Sequence, residues 1–172
     1  MKNSKPLWEY TRDLHHACEA HKVGGAMATG KPPKIWYYAW ARALHQIHYK
    51  LDQHCDPLLR RSRECMDDYC AGGFIINPFD SATAYVNQLN DPKMIDGAIY
   101  VLTGAHLMGG EIMRRRLEGF PTAHLQWEDR KGALAILTEY RTRDDIGDEA
   151  RKCFEALLAI MDEIAERYPD GE

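Results

Sequence analysis

Two places in the chain combine residue types and spacings that suit metal and cofactor chemistry. The first is His15, which lies in a segment of helical periodicity with Glu19 one helical turn further on. Such an imidazole can offer one ring nitrogen to a metal while its other N–H donates to the carboxylate. Taken alone, an inward-facing histidine is more often a hydrogen-bonded core residue, so a functional interpretation of His15 depends on a second feature.

The second feature is a run of glycines inside an otherwise helical segment. Residues 100–116 carry apolar side chains at helical spacing, yet they include Gly104, Gly109 and Gly110. Each glycine in a helix interior costs about 0.8–1 kcal/mol relative to alanine. A helix that keeps such residues either bends there or lets a large, flat group approach its backbone. Together with His15, this segment predicts a bound planar cofactor.

The composition is that of an ordinary globular protein. Of the 172 residues, 45% are hydrophobic and 28% are charged, and the formal net charge is −4. This balance argues against general nucleic-acid binding, which needs a basic surface. The five cysteines are odd in number and form no Cys-x-x-Cys pair, which favours free thiols in a reducing compartment. Because no secretion signal or membrane span is evident, we expect a cytoplasmic protein.

Helical periodicity runs through nearly the whole chain, and no segment alternates cleanly like a strand. The predicted helices cover about 4–22, 34–54, 57–69, 78–90, 92–118, 125–142 and a final segment from about 148. Ser4, Asn77 and Asp91 are the predicted cap residues. The glycine-rich segment 24–33 is predicted to be a loop. The expected fold is a single all-α domain spanning residues 1–172.

Three more histidines lie on or near the second predicted helix: His45, His48 and His54. His45 and His48 have the i, i+3 spacing of a metal-binding pair, but no nearby carboxylate pattern completes such a site. We therefore interpret them as surface or packing residues.

The N-terminal segment resembles the proximal-helix motif of the haem oxygenase family. It reads Leu-Trp-Glu-Tyr-Thr-Arg-Asp-Leu-His-His-Ala-Cys-Glu over residues 7–19, with His15 on the axial-ligand position and Glu19 on its usual carboxylate neighbour. Further segments resemble, in order, the approach to the family's distal helix, its double glycine and the start of its final helix: 85–89 with 100–104, 109–110 and 149–154. The resemblance spans most of the chain.

This resemblance implies a haem-oxygenase-like helical bundle, with haem b between an N-terminal proximal helix and a glycine-kinked distal helix. Haem would be both cofactor and substrate, with His15 on the iron and the glycines at 104, 109 and 110 beside the porphyrin. The implied reaction uses O2 and electrons from a ferredoxin or a reductase, and it yields biliverdin, CO and ferrous iron.

The resemblance also implies roles for several charged and hydroxyl-bearing residues. The side chains implied to hold the haem, beyond the axial ligand, are Tyr100, Arg130, Lys131 and, less closely aligned, Arg12. Arg114 and Arg115 follow the distal glycines, where the family carries cations that meet its electron donor.

The distal segment departs from the family at the aspartate that organises a catalytic water in many members. Residues 104–110 contain no aspartate. Alignment on the double glycine places His106 at that position, whereas alignment on Gly104 places Ala105 there. His106 therefore orders water, binds iron or points away. A haem carrier or sensor, six-coordinate through His15 and His106, is the alternative function. A di-iron oxygenase is a further one, although no repeated Glu, Asp and His spacing supports it.

Overall fold

The fold is built from helices packed around one shared apolar core. The computed structural model describes residues 2–171. The α-helices in this range are α1 (Leu7–Tyr10), α2 (Arg12–Ala20), α3 (Lys22–Thr29), α4 (Lys34–Leu51), α5 (Ser62–Ala71), α6 (Asp80–Gln88), α7 (Pro92–Met108), α8 (Gly110–Arg116), α9 (Arg130–Arg141) and α10 (Gly147–Arg167). Short 3₁₀ turns occur at Pro57–Leu59 and Ala123–Leu125. Every regular element of the described range is helical, which confirms the predicted all-α class.

Helix α4 is the centre of the core. It matches the helix predicted over 34–54, and its buried side chains include Trp36, Leu44 and Ile47. Burying a large apolar side chain contributes roughly 1.5–3 kcal/mol, so this face is a main source of stability. The helix packs against α5, α6 and α10.

The N-terminal region differs from the prediction. Instead of one helix from Ser4 to Lys22, the chain forms α1, α2 and α3, and the first of these begins at Leu7 with Pro6 before it. The predicted cap at Ser4 is therefore wrong. The breaks between these helices fall at Thr11 and at His21.

The loop predicted over 24–33 is wrong in its first part, because residues Lys22–Thr29 are helical, whereas residues 30–33 form a loop as predicted. The His21 ring accepts the Val23 N–H at 3.1 Å and caps this helix. Gly24 packs so closely on α2 that a Cβ there would overlap the carbonyl oxygen of Cys18. The glycines here serve a close approach of two helices rather than a flexible loop.

The helix predicted over 92–118 is present but divided at Gly109. Asp91 caps α7 as predicted, since its carboxylate accepts the Lys93 N–H at 2.7 Å. The Gly109 N–H still donates to the Ala105 carbonyl at 3.0 Å. The regular helix is nevertheless interrupted by a bend at Gly109 before α8 begins at Gly110, which confirms the predicted kink.

The cap predicted at Asn77 is wrong, since α6 begins at Asp80. Its first N–H groups are bound by side chains from other helices. The Gln46 side chain accepts the Phe79 N–H at 2.8 Å, and Glu163 accepts that of Asp80 at 3.1 Å. A helix start fixed from elsewhere in the fold leaves no local sequence signal.

Two other helices start later than predicted. The segment predicted over 57–69 opens with a 3₁₀ turn, and α5 itself begins at Ser62. The helix predicted over 125–142 begins only at Arg130, because the Asp129 carboxylate accepts the Gly132 N–H at 2.9 Å. The residues before it form the second 3₁₀ turn.

Helix α10 connects the start of the chain to its middle. Arg151 donates to both carboxylate oxygens of Asp13 on α2, at 2.7 and 2.9 Å. Along another face, α10 packs against α7 at Gly97, where an added Cβ would lie 2.8 Å from the Ala150 nitrogen. Helices α2, α7 and α10 thus enclose one side of the molecule.

Across the described residues, none of the helices has the length and apolar character needed to cross a bilayer.

Candidate functional site

A cavity of about 750 Å³ lies between the N-terminal helices and the glycine-bearing helices α7 and α8. This volume is typical of sites for small molecules and cofactors. The lining is predominantly apolar and includes aromatic and methionine side chains from many parts of the chain: Trp8, Met27, Trp40, Met113, Phe154 and Met161. A flat, largely apolar ligand suits such walls. We refer to this space as the main cavity.

His15 lies on the α2 wall of the main cavity. Its Nδ1 is 3.6 Å from Oε1 of Glu19, and its ring stands edge-on to that of Phe154, with 6.1 Å between centroids. The side chain is 54% exposed, because it faces open space rather than the core. With Nδ1 directed to the carboxylate, Nε2 is the nitrogen left to bind a metal. His16 is exposed, as predicted, and also lines the cavity.

The opposite wall contains two of the three distal glycines. Gly104 and Gly109 both line the main cavity. A Cβ built at Gly104 would meet no described heavy atom within 4 Å, so the backbone is bare to the cavity there. Gly110 lies outside the lining, where its Cβ would be 3.4 Å from the Leu125 carbonyl oxygen. A side chain at Gly110 would make ordinary contact with the 3₁₀ turn, so packing there does not require a glycine.

His106 lines the main cavity, but its side chain is buried among other histidines. Its ring centroid lies 5.3 Å from that of His48 and 5.1 Å from that of His124. Burial lowers the pKa of His106 well below its usual value and lowers that of His48 to about 4. Both rings are therefore neutral near pH 7, each with one N–H and one lone pair.

His124 is held in place by the buried carboxylate of Asp68. The Asp68 oxygens accept the His124 Nδ1–H at 2.6 Å, the His124 backbone N–H at 2.9 Å and the Ala123 N–H at 2.8 Å. Since the carboxylate only accepts hydrogen bonds, this network assigns the ring proton to Nδ1 and leaves Nε2 free. The 3₁₀ turn is in this way fixed to α5.

Three arginines line the mouth of the main cavity, and only one of them, Arg12, was predicted from the sequence. Arg12, Arg116 and Arg141 contribute to the lining. The Arg12 guanidinium lies 5.0 Å from the Trp8 ring centroid, and Arg116 donates to the Ala28 carbonyl at 3.0 Å. All three arginines are exposed, so they can meet carboxylates of a ligand at the rim.

The other predicted cations lie outside the lining. Arg130 donates to the Leu107 carbonyl at 3.2 Å, and Lys131 is exposed beside it. Arg114 and Arg115 are exposed and form ion pairs with Glu111, at 3.0 and 3.6 Å. They belong to the outer face of α8.

Tyr100 lines the main cavity as predicted. Burial raises the pKa of its phenol. The group therefore keeps its proton at neutral pH and is available as a hydrogen-bond donor.

A metal held by protein side chains alone has no suitable ligand set in residues 2–171, where no three His, Cys, Asp or Glu side chains are arranged to hold an ion. A di-iron centre of the kind considered from the sequence needs such a set. Haem needs only axial ligands from the protein, since the porphyrin supplies the others. His15, the aromatic lining and the bare backbone at Gly104 fit that requirement.

Sequence reasoning missed four residues of the site: Asp68, Arg116, His124 and Arg141. Asp68 and His124 are 56 positions apart and belong to no recognisable motif. Arg116 and Arg141 lie at the ends of α8 and α9, where a solvated surface is the default interpretation of a cation. Only the packing of α8 and α9 beside the cavity distinguishes them.

Comparison with known proteins gives no match by sequence but a clear match by fold. No model of a protein family matches the chain, and no curated protein matches it. The haem oxygenase from Leptospira interrogans superposes with a TM-score of 0.79 at 18% identity, covering 91% of this chain and 97% of that one.

Two structures from Synechocystis sp. match in the same way. Haem oxygenase-1 in complex with haem and haem oxygenase-2 in complex with haem and NO each give a TM-score of 0.78 at 18% identity. Each match covers 94% of this chain, and the matches cover 91% and 84% of the respective neighbours. The protein therefore has the haem oxygenase fold over nearly its whole length.

Proposed function

We propose that this protein is a haem oxygenase. Its substrate is haem b, bound in the main cavity and cleaved to biliverdin, CO and ferrous iron with O2 and electrons from a ferredoxin or a reductase. One observation carries the proposal: His15 and the bare backbone at Gly104 line the same apolar cavity from different helices. A fold shared with haem-bound structures supports it.

In this proposal, His15 binds the haem iron through Nε2. Glu19 lies beside Nδ1 and favours the orientation in which Nε2 faces the cavity. The edge-on contact with Phe154 further restricts rotation of the ring. Bound haem supplies an iron that binds and activates O2.

The distal residues provide space and polar hydrogens. Gly104 and Gly109 allow the macrocycle to lie against the backbone, which side chains at these positions would prevent. Tyr100 keeps a donor hydrogen at the wall. His106 is neutral, so one of its ring nitrogens donates and the other accepts hydrogen bonds.

Arg12, Arg116 and Arg141, which line the main cavity, would bind the propionate carboxylates. Arg130 and Lys131, which the family resemblance implies, lie outside the lining and would contribute only longer-range positive charge. Arg114 and Arg115 are exposed on the outer face of α8, where they would meet an acidic electron donor. A cytoplasmic location, with its reducing conditions, suits the free thiols of the chain.

Haem titration and turnover test the proposal. Hemin should form a one-to-one complex with a sharp Soret band, and ascorbate or reduced ferredoxin should convert that band into a bilin spectrum. His15→Ala should lose the axial-histidine spectrum and the turnover, and added imidazole should restore both. His54→Ala, at an exposed histidine outside the lining of the main cavity, is the control and should behave as wild type. A Soret band that persists with both reductants would reject the enzymatic function.

A haem carrier or sensor is the second candidate, favoured by the position of His106 in the lining of the main cavity. It predicts a six-coordinate, low-spin spectrum that becomes five-coordinate in His106→Ala, with no bilin from either protein. The contacts of His106 with two other buried rings restrain it from reaching the iron, so we place this function second.

A further inference from the structure

A second depression opens elsewhere on the surface, where the end of α4 meets the start of α5. This outer cleft has a volume of about 840 Å³, and its lining includes Tyr49, Asp52, Arg61, Trp127 and Asp129. The proposed haem reaction makes no use of it. The Asp52 carboxylate connects the two sides of the outer cleft, since it accepts the backbone N–H groups of Arg61 at 3.1 Å and Ser62 at 2.9 Å.

Buried histidines occupy the interior between the outer cleft and the main cavity. His48 is only 1% exposed and lies one helical turn before Asp52, which donates its own N–H to the His48 carbonyl at 2.8 Å. On its other side His48 contacts His106, which lines the main cavity. The His48 ring thus lies within electrostatic reach of Asp52 and Arg61, which line the outer cleft, and next to His106, which lines the main cavity.

Two ring nitrogens in this interior have no hydrogen-bond partner among the described residues: His48 Nε2 and His106 Nδ1. Buried polar atoms are almost always satisfied by protein or by ordered water. Two such atoms on adjacent rings, with the free Nε2 of His124 nearby, supply the polar partners that an internal water molecule needs.

The surroundings of His48 keep its ring neutral, as a ring that passes on a proton should be. The groups that act on it are Asp52, Arg61, His45 and His124, and desolvation keeps the ring neutral. His106 is likewise neutral, with His124, His48 and Arg61 around it. A neutral imidazole can accept a proton at one nitrogen and release one from the other.

We propose that His48 and His106, bridged by internal water, form a path that carries protons from the outer cleft at Asp52 to the distal side of the main cavity. The proposal rests on the proposed function, because reduction of O2 consumes protons. For each proton that enters a ring at one nitrogen, one leaves from the other, so each ring ends neutral. Electrons come from the donor protein and do not use this path. His48 acts through His106 and is a positioning residue.

The path gives this chain a proton supply where residues 104–110 contain no aspartate. Asp68 contributes by binding Nδ1 of His124, which leaves Nε2 as the ring nitrogen that can contact the water or His106. The route enters through the outer cleft and not through the mouth that admits haem. It therefore stays open when a ligand fills the main cavity.

The test compares His48→Leu, which removes both nitrogens, with His48→Gln, which keeps a donor and an acceptor, and with His54→Gln, an exposed control near the end of α4. The first readout uses ligand-free protein and long-range ¹H–¹⁵N NMR of the histidine rings. His48→Leu should shift the His106 Nδ1 signal and slow the exchange of its proton with solvent, whereas His54→Gln should leave both unchanged. An unaltered His106 signal in His48→Leu would overturn the path.

The second readout is haem turnover in H2O and D2O. His48→Leu should bind haem as wild type does, turn over about tenfold or more slowly, and show a larger solvent isotope effect. His48→Gln should recover much of the rate. A wild-type rate and isotope effect in His48→Leu would refute the proposal. If His48→Leu does not fold, Asp52→Asn replaces it, with the same expected direction.

The two proposals fail in different ways. If wild-type protein consumes no haem, the proposed function is wrong, and no protons are supplied to that reaction. The NMR comparison of ligand-free proteins would still show whether His48 and His106 are connected through water. If wild-type protein consumes haem and His48→Leu matches it, only the path is wrong.

Discussion

Gly97 and Gly104 lie two turns apart on nearly the same side of α7, yet their surroundings are opposite. A Cβ at Gly97 would lie 2.8 Å from the Ala150 nitrogen of α10, whereas a Cβ at Gly104 would meet no described atom within 4 Å. The first glycine lets two helices touch, and the second leaves the backbone open to the main cavity.

This contrast predicts opposite effects of the same substitution. Gly104→Ala should raise the free energy of unfolding of the ligand-free protein by about 0.8 kcal/mol, through helix propensity alone, yet weaken haem binding about tenfold or more. Gly97→Ala is the matched control and should destabilise the fold by roughly 1–3 kcal/mol because of the clash with α10. Urea unfolding and hemin titration measure the two quantities. Equal haem affinity in Gly104→Ala and wild type would contradict a macrocycle at this wall.

Glu19 should matter less to haem binding than carboxylates beside metal-bound histidines usually do. Its side chain is 57% exposed and its Oε1 lies 3.6 Å from His15 Nδ1, and exposed pairs one helical turn apart contribute about 0.2–0.5 kcal/mol. Glu19→Gln should therefore change the haem dissociation constant by less than about threefold. Well-formed carboxylate–histidine pairs change metal affinity by about tenfold or more. A loss of haem affinity of that size in Glu19→Gln would mean that Glu19 becomes buried when haem binds.

The buried histidines should make stability depend on pH. The pKa of His48 is lowered by burial from 6.5 to about 4, so between these values the unfolded chain binds a proton that the folded protein does not. Stability is then complete above about pH 6.5 and falls toward pH 4, by up to about 1.4 kcal/mol per pH unit. The lowered pKa of His106 acts in the same direction.

Urea unfolding of ligand-free protein between pH 5 and 8, in steps of about half a unit, measures this slope. His48→Gln should flatten it, whereas His54→Gln should not, because His54 is exposed. A slope that is the same in all three proteins would assign the pH dependence to other groups.

The position of the rim arginines predicts which cations bind the propionates. Arg141→Ala and Arg116→Ala should each raise the haem dissociation constant roughly two- to fivefold, since exposed ion pairs contribute about 0.2–1 kcal/mol. Arg130→Ala and Lys131→Ala should have little effect, because neither side chain lines the main cavity. Hemin titrations at low and high salt check the ranking, and a larger effect of Arg130→Ala would reverse it.

The sequence predicts the fold class and the two walls of the site because each wall has a local signal. The periodicity around His15 and the glycines of α7 arise within single helices, and Asp91 caps its own helix. The start of α6 could not be predicted, because Gln46 and Glu163 bind its first N–H groups from distant helices. The glycines of α3 were taken for a loop, since close helix packing leaves no periodic pattern.

The distal side of the site was predicted less well for the same reason. His106 was recognisable from its position, but its neighbours His48, His124 and Asp68 come from three other segments of the chain. A buried polar cluster is a property of packing, and short-range spacing does not encode it.

The ion pair between Asp13 and Arg151 joins positions 138 residues apart. Both helices that carry it, α2 and α10, contribute walls to the main cavity. The main cavity is therefore complete only once α10 has docked against α2. Removal of α10 would take away both the Phe154 wall of the main cavity and the residue that anchors α2.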